Sequence, residues 1–287
     1  MSFNDFLKKS KKLLIRFWRS ENTKTSILRD ILIAFLIVFI ILIALWTYTG
    51  QWFSAPMVAI ESGSMMHENE PFGRYGTIDA GDMVLLVKVN DKSDIVTFAE
   101  KDNNNKYYGK YGDVVIYHPD GQYDRDQIIH RAMCWVEVEN NGSGKTYTIE
   151  EYGIINQDAD EPLYCPEYGI NSRNGDGVVV DWDNSGFITK GDNKETNPTC
   201  DQIGGIASQP VKVQWISGKA RAELPWIGTI NLFFNDITSG KNTVGNVPGD
   251  SLFCLVILIL ILISIPVSMD IYSYYKEKKE KNKNNLF

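Results

Sequence analysis

Two uninterrupted apolar runs dominate the hydropathy pattern of the 287-residue chain. ILIAFLIVFIILIALWTYT at residues 31–49 and SLFCLVILILILISIPVSM at 251–269 are each 19 residues long and carry no charge. A helix of that length measures about 28 Å, which matches a bilayer core, so both runs are expected to span a membrane. The first follows a basic leader, as a secretory signal peptide does. Its apolar part is long, however, and no A-x-A-like site follows closely, so an uncleaved anchor is expected. Trp46, Tyr48 and Trp52 fit an aromatic belt at one interface, and Tyr272, Tyr274 and Tyr275 at another.

Between the runs the pattern shortens to that of strands. GDMVLLVKV (81–89) and GDVVIYH (112–118) each open on a Gly-Asp turn and continue into β-branched or aromatic residues. Residues 127–139, 145–152, 177–182, 186–192 and 210–220 repeat this pattern, separated by turn clusters such as ENNGSGK and NSRNGDG. No soluble stretch sustains a 3.6-residue period. The expectation is a mainly β ectodomain over 50–250 with Greek-key or barrel-like closure, tethered by an N-terminal and a C-terminal transmembrane helix. Residues 139–186, rich in Asn, Gly, Asp and Tyr, read as an inserted excursion containing an N-glycosylation sequon at Asn141.

Charge adds an orientation. Residues 1–30 hold eight Lys/Arg against three Asp/Glu, and 270–287 hold five against three, which leaves 16 basic and 30 acidic residues for 31–269. Basic tails belong in the cytosol, which puts the acidic middle outside a plasma membrane. The acidic middle excludes nucleic acid as a partner, because phosphate would be repelled. The leader FLKKSKKLLIRFW also has the composition of a helix lying on anionic lipid.

Three of the four cysteines, Cys134, Cys165 and Cys200, fall in the ectodomain, so at most one internal disulfide can form there. No Cys/His spacing suggests zinc. Asp181, Asp183, Ser185, Gly186 and Asp192 fall on calcium-loop positions, but Asp in the last one is a poor substitute for a bidentate Glu and no helices flank it. Neither a metal nor a cofactor is expected.

Chemistry is sought where the chain leaves the first span, in ESGSMM at 61–66. A serine needs a base to attack, and only three histidines are available. His67 is three residues from Ser64 and His118 precedes a PDG turn; His130, in the apolar strand QIIHRAM, suits proton transfer best. A carboxylate to hold its imidazole is offered by Asp192 and Asp201 in TKGDNKETNPTCDQ, and both remain candidates.

The order of these pieces resembles type I signal peptidases, in their archaeal and endoplasmic-reticulum branch. Ser62-Gly63-Ser64-Met65 matches the S-x-S-M box after an N-terminal span, and Gly81-Asp82 the first Gly-Asp strand. Residues 112–119 match the GDVV-Y-P strand, and His130-Arg131 the base, which is Lys in bacterial enzymes. TKGDN at 189–193 with Asp201, and the closing strand at 218–228 with Pro225, complete the series. Here the two acids lie nine residues apart, and the excursion is long for this branch.

The resemblance implies a membrane-bound serine endopeptidase that removes signal peptides from secretory preproteins after small-x-small sites, beside the bilayer and the export translocon. It makes Ser64 the nucleophile and His130 the general base, with Asp201 orienting the imidazole and Asp192 supporting the site. The Ser64 N–H and the Ser62 hydroxyl would meet the oxyanion, since two serines two apart in an extended segment face the same way. Ile60 and Ile129, beside the two catalytic segments, are expected to line shallow pockets for small side chains. Ser64 lies 14 residues past Gly50, within about 46 Å of the span's end even if fully extended. The competing expectation is a catalytically silent β-domain on two anchors, serving as a binding module or complex subunit.

Overall fold

The computed structural model describes residues 9, 11–12, 15–20, 22–100, 106–142 and 144–284. Six of the thirteen residues of the leader's lipid-facing pattern lie outside these residues, as does Ser143 of the sequon; the leader's other seven are helical. The chain divides into two units, Met1–Ser54 and Ala55–Phe287.

The first unit is built on helix α1, Thr23–Thr49. It starts eight residues before the apolar run because Asn22 caps it, its side chain accepting from Lys24 N at 3.0 Å. Gly50 ends it in the left-handed conformation, φ 67°, donating its N–H to the Trp46 carbonyl. Trp46, Trp52 and Phe53 cluster at that end, with ring centroids 5.6–6.4 Å apart. The apolar window has a mean hydropathy of 2.9, and none of it is buried in the protein.

The second unit is mostly antiparallel sheet. Its strands are β1 (Met57–Ala59), β2 (Met83–Val87), β3 (Lys106–Tyr107), β4 (Lys110–Tyr111), β5 (Val114–Tyr117), β6 (Ile128–Asn140), β7 (Lys145–Ile149), β8 (Ile154–Asp158), β9 (Gly186–Lys190) and β10 (Ile216–Leu224). Eight of them form one sheet in the order β1-β2-β10-β5-β6-β7-β8, with β9 branching from β6, while β3 and β4 pair separately. Among the described residues β1 and β8 do not pair, so the barrel-like closure expected from the strand pattern is not formed.

β5 explains why its sequence is continuously apolar. Side chains alternate across a strand, and here both faces are covered. Val114 and Ile116 pack with Ile60, Met65 and Val84, while Val115 and Tyr117 pack with Ala132, Phe187 and Ile216.

The long strand β6 pairs with β5 at its start, with β9 through its middle, and with β7 at its end. Residues 139–186 are a packed extension of the sheet with its own core around Tyr147, Ile149, Leu163 and Trp182. Cys134, Cys165 and Cys200 are buried in that core as free thiols. Residues 177–182 form no strand, only a bridge between Val178 and Leu163. The acids of the calcium-loop pattern have protein partners. Lys145 Nζ is bonded to both Asp181 and Asp183, and Asp192 is buried elsewhere against Arg131.

Among the described residues the unit also holds three α-helices: α2 (Asp201–Gly204), α3 (Gly228–Ser239) and α4 (Gly249–Asn284). α3 escapes the periodicity reading because Leu232 faces inward while other apolar side chains face out, which blurs the 3.6-residue signal. α4 contains the second apolar run, with a mean hydropathy of 3.0, and continues through Pro266. Both apolar helices are compatible with membrane anchoring.

Candidate active site

His130 sits on β6 opposite Val115 of β5, which fixes its backbone in the middle of the sheet. Its Nδ1 lies 2.8 and 2.7 Å from the two carboxylate oxygens of Asp201, and both residues are almost fully buried. A carboxylate only accepts, so Nδ1 is the donor here, and in the neutral form of the ring Nε2 keeps its lone pair. Asp201 is the first residue of α2, and its Oδ2 accepts from the Tyr117 hydroxyl at 2.7 Å and the Thr189 hydroxyl at 2.6 Å. Burial, and then the neighbouring Asp201 charge, push the Tyr117 phenol well above its ordinary range, so it stays a donor. The imidazole is thus oriented by a carboxylate that is itself held by two hydroxyls.

Ser64 approaches from the other side. Its segment is a turn, closed by Met66 N donating to the Gly63 carbonyl at 3.2 Å, rather than the extended run expected. The expected proximity is nevertheless present, with the Ser62 hydroxyl donating to Ser64 Oγ at 3.3 Å. The turn is pinned by the loop after β9. Asn193 N donates to the Ser64 carbonyl at 2.9 Å, Asn193 Nδ2 to the Gly63 carbonyl at 3.0 Å, and Asn197 Nδ2 to the Ser64 carbonyl at 3.3 Å. Only glycine fits at 191, where a Cβ would lie 2.7 Å from the Ser64 carbonyl oxygen. Among the described residues the Ser64 N–H donates to no protein acceptor, and no Ser64–His130 hydrogen bond is formed.

Ser64 and His130 meet in one cavity of about 630 Å³. Ile60 and Ile129 both line it, along with Val58, Ile116, Ile128 and Ile206. Ile60 is almost wholly buried and contributes chiefly to the core beneath the cavity, whereas Ile129 is half-buried. Glu61 and Asp126 also line it, and Lys241 Nζ lies 3.7 and 3.4 Å from their carboxylates.

Asp192 touches neither the Ser64 hydroxyl nor His130. It accepts from Arg131 Nε and Nη2 at 2.9 and 2.6 Å, faces His67 Nε2 at 3.0 Å, and lies 3.5 Å from Lys110 Nζ. Burial alone would raise its pKa. The hydrogen bonds from His67 and Arg131 and the charges of Arg131 and Lys110 outweigh that and hold it well below the carboxylate range. The fully buried Arg131 also donates to the Gly112 and Tyr111 carbonyls. This ion pair braces the turn that carries Ser64, through His67, against β6.

Tyr117, Thr189 and Asn193 fall within the matched motifs, but the sequence assigns no role to them, to Asn197 or to a His67–Asp192 contact. The available signal was a hydroxyl on each of two otherwise apolar strands, since a buried hydroxyl needs a partner. Among the described residues no group of three or more His, Cys, Asp or Glu is arranged to hold a metal ion. The chain matches no family model and no curated protein.

Proposed function

We propose that the protein is a membrane-bound serine endopeptidase that removes signal peptides from secretory preproteins, with Ser64 as nucleophile and His130 as general base. One observation carries the reading: a hydroxyl and a carboxylate-held imidazole, remote in sequence, line a single cavity. In this mechanism His130 Nε2 takes the Ser64 proton as Oγ attacks the scissile carbonyl carbon. The oxyanion is met by the free Ser64 N–H and by the Ser62 hydroxyl, which turns from Ser64 Oγ to the developing charge. The proton then passes to the leaving amine, and water hydrolyses the Ser64 ester by the same route. Catalytic hydrogen bonds are often long before substrate binds, which accommodates the unformed Ser64–His130 contact.

The substrate fits the surroundings. The outer side of β1 pairs with no strand among the described residues, and Val58 and Ala59 line the cavity, so an extended peptide can add to that edge. Apolar walls suit small side chains. Basic tails place both termini in the cytosol and the β-domain outside the plasma membrane, where a signal peptide emerges from the translocon. The competing reading, a silent two-anchor binding domain, is favoured by the Ser64 hydroxyl being bonded to Ser62 and not to His130.

The test is to incubate the purified full chain with a preprotein and sequence the new N-terminus. A cut directly after a small-x-small motif is expected; an intact preprotein supports the silent domain.

A further inference from the structure

α3 carries apolar residues on the side that the protein does not cover. Gly228, Thr229 and Leu232 are buried, whereas Ile230, Phe233, Phe234 and Ile237 are 42%, 53%, 62% and 65% exposed. At 3.6 residues per turn these four fall within about 100° of arc, opposite the buried side. Asp236, on the protein-facing side between Leu232 and Thr229, accepts from Thr243 N and Val244 N at 2.9 Å each. The stripe is therefore uninterrupted by charge, and α3 contains no Lys or Arg.

Both ends of α3 are fastened to the head of α4. At its start, Gly228 is pressed against the Gly81–Asp82 turn, where a Cβ would lie 2.2 Å from the Asp82 carbonyl oxygen. Trp226, just before it, donates its indole N–H to the Gly73 carbonyl at 2.7 Å. That same loop grips α4. Gly73 N and Arg74 Nε donate to Asp250 at 3.1 and 3.2 Å, and the Phe72 and Phe253 rings lie 6.1 Å apart. Phe253 is four residues into α4, about 6 Å along its axis. At the other end of α3, the turn capped by Asp236 leads directly into α4.

We propose that α3 is an interfacial helix whose Ile230, Phe233, Phe234 and Ile237 stripe lies in the outer boundary between lipid headgroups and acyl chains. The proposal rests on α4 spanning the bilayer and is independent of the protease reading. Continuity with α4 selects lipid as the occupant, because elements tied to the first turn of a span sit at interface depth. With no basic side chain on α3, the contact is apolar and insensitive to anionic lipid or salt. Phe72, exposed beside Phe253, adds an apolar side chain at the head of α4.

The test uses the full chain in nanodiscs of zwitterionic lipid, spin-labelled singly through Phe234→Cys, Ile237→Cys or, at an exposed polar position off the stripe, Asn231→Cys in a Cys254→Ser background. Leu260→Cys reports on α4. Positions 234 and 237 should collide several-fold more with oxygen than with an aqueous nickel chelate. Position 231 should show the reverse, and raised salt should change neither. The proposal is overturned if the chelate dominates at 234 and 237 while Leu260 remains lipid-exposed. It is equally overturned if spin–spin coupling at 234 disappears on dilution with unlabelled protein, since a second copy would then cover the stripe. Chelate access at Leu260 would remove the anchor itself.

Discussion

The His130 imidazole and the Asp201 carboxylate, 71 positions apart in the chain, meet at 2.7 Å in a site where both are almost entirely buried. Asp192 instead faces Arg131, so the two acids should fail differently. Asp201→Asn removes the charge that fixes the imidazole's tautomer and sets an amide N–H against Nδ1, and should lower kcat by about 10³–10⁴-fold with little change in fold. Asp192→Asn strips a buried guanidinium of its counter-charge and should cost about 3–5 kcal/mol of stability. Rates and melting temperatures measured on both variants separate the two roles.

Ser62→Ala tests the oxyanion assignment. Loss of one donor to the developing charge typically lowers kcat by about 10²–10³-fold without weakening substrate binding. An unchanged kcat would leave Ser62 as a mere neighbour of Ser64.

Gly191→Ala should displace the catalytic turn, because the added methyl meets the Ser64 carbonyl oxygen and the Asn197 side chain. A shift of about 1 Å at the nucleophile can cost on the order of 10²-fold in rate. The expected result is a large drop in kcat with His130 and Asp201 unaltered, checked by kinetics alongside a melting curve.

Two buried carboxyls give stability opposite pH trends. Asp192 has a depressed folded pKa, so its contribution is present above the unfolded value of about 3.9 and is lost as pH falls through the folded one. Burial, and then the charge of Glu70, push the Asp79 carboxyl up to about 8. Its contribution is full below about 3.9 and declines as pH rises towards 8. Between about pH 5 and 8 the melting temperature of the wild type should therefore fall relative to that of Asp79→Asn. Parallel curves for the two proteins would contradict the assignment.

The thiols of Cys134, Cys165 and Cys200 share one buried core, and burial pushes Cys165 and Cys200 up to about 12. A maleimide should label none of these three in the native protein and all three after denaturation without reductant.

The two apolar helices, the strand-rich middle and the position of His130 on a strand were legible because each has a local signature: uncharged length, alternation, or a titratable group in an apolar run. Strand ends shifted by a residue or two where Gly-Asp turns, placed at the head of β2 and β5, lie outside the ladder. Three features had no such local signal. α3 is apolar on two sides, the 139–186 extension buries Trp182 and Tyr147 through contacts remote in sequence, and the Asp192–Arg131 brace joins residues 61 positions apart. Spacing alone also left both acids as candidates; only the fold separates the one at the imidazole from the one at the guanidinium.

The most direct measurement is the rate at which purified wild-type and Ser64→Ala proteins process one preprotein in detergent. Cleavage by the wild type and none by the variant is the predicted result. Equal rates from both would contradict the assignment of Ser64 as the attacking group.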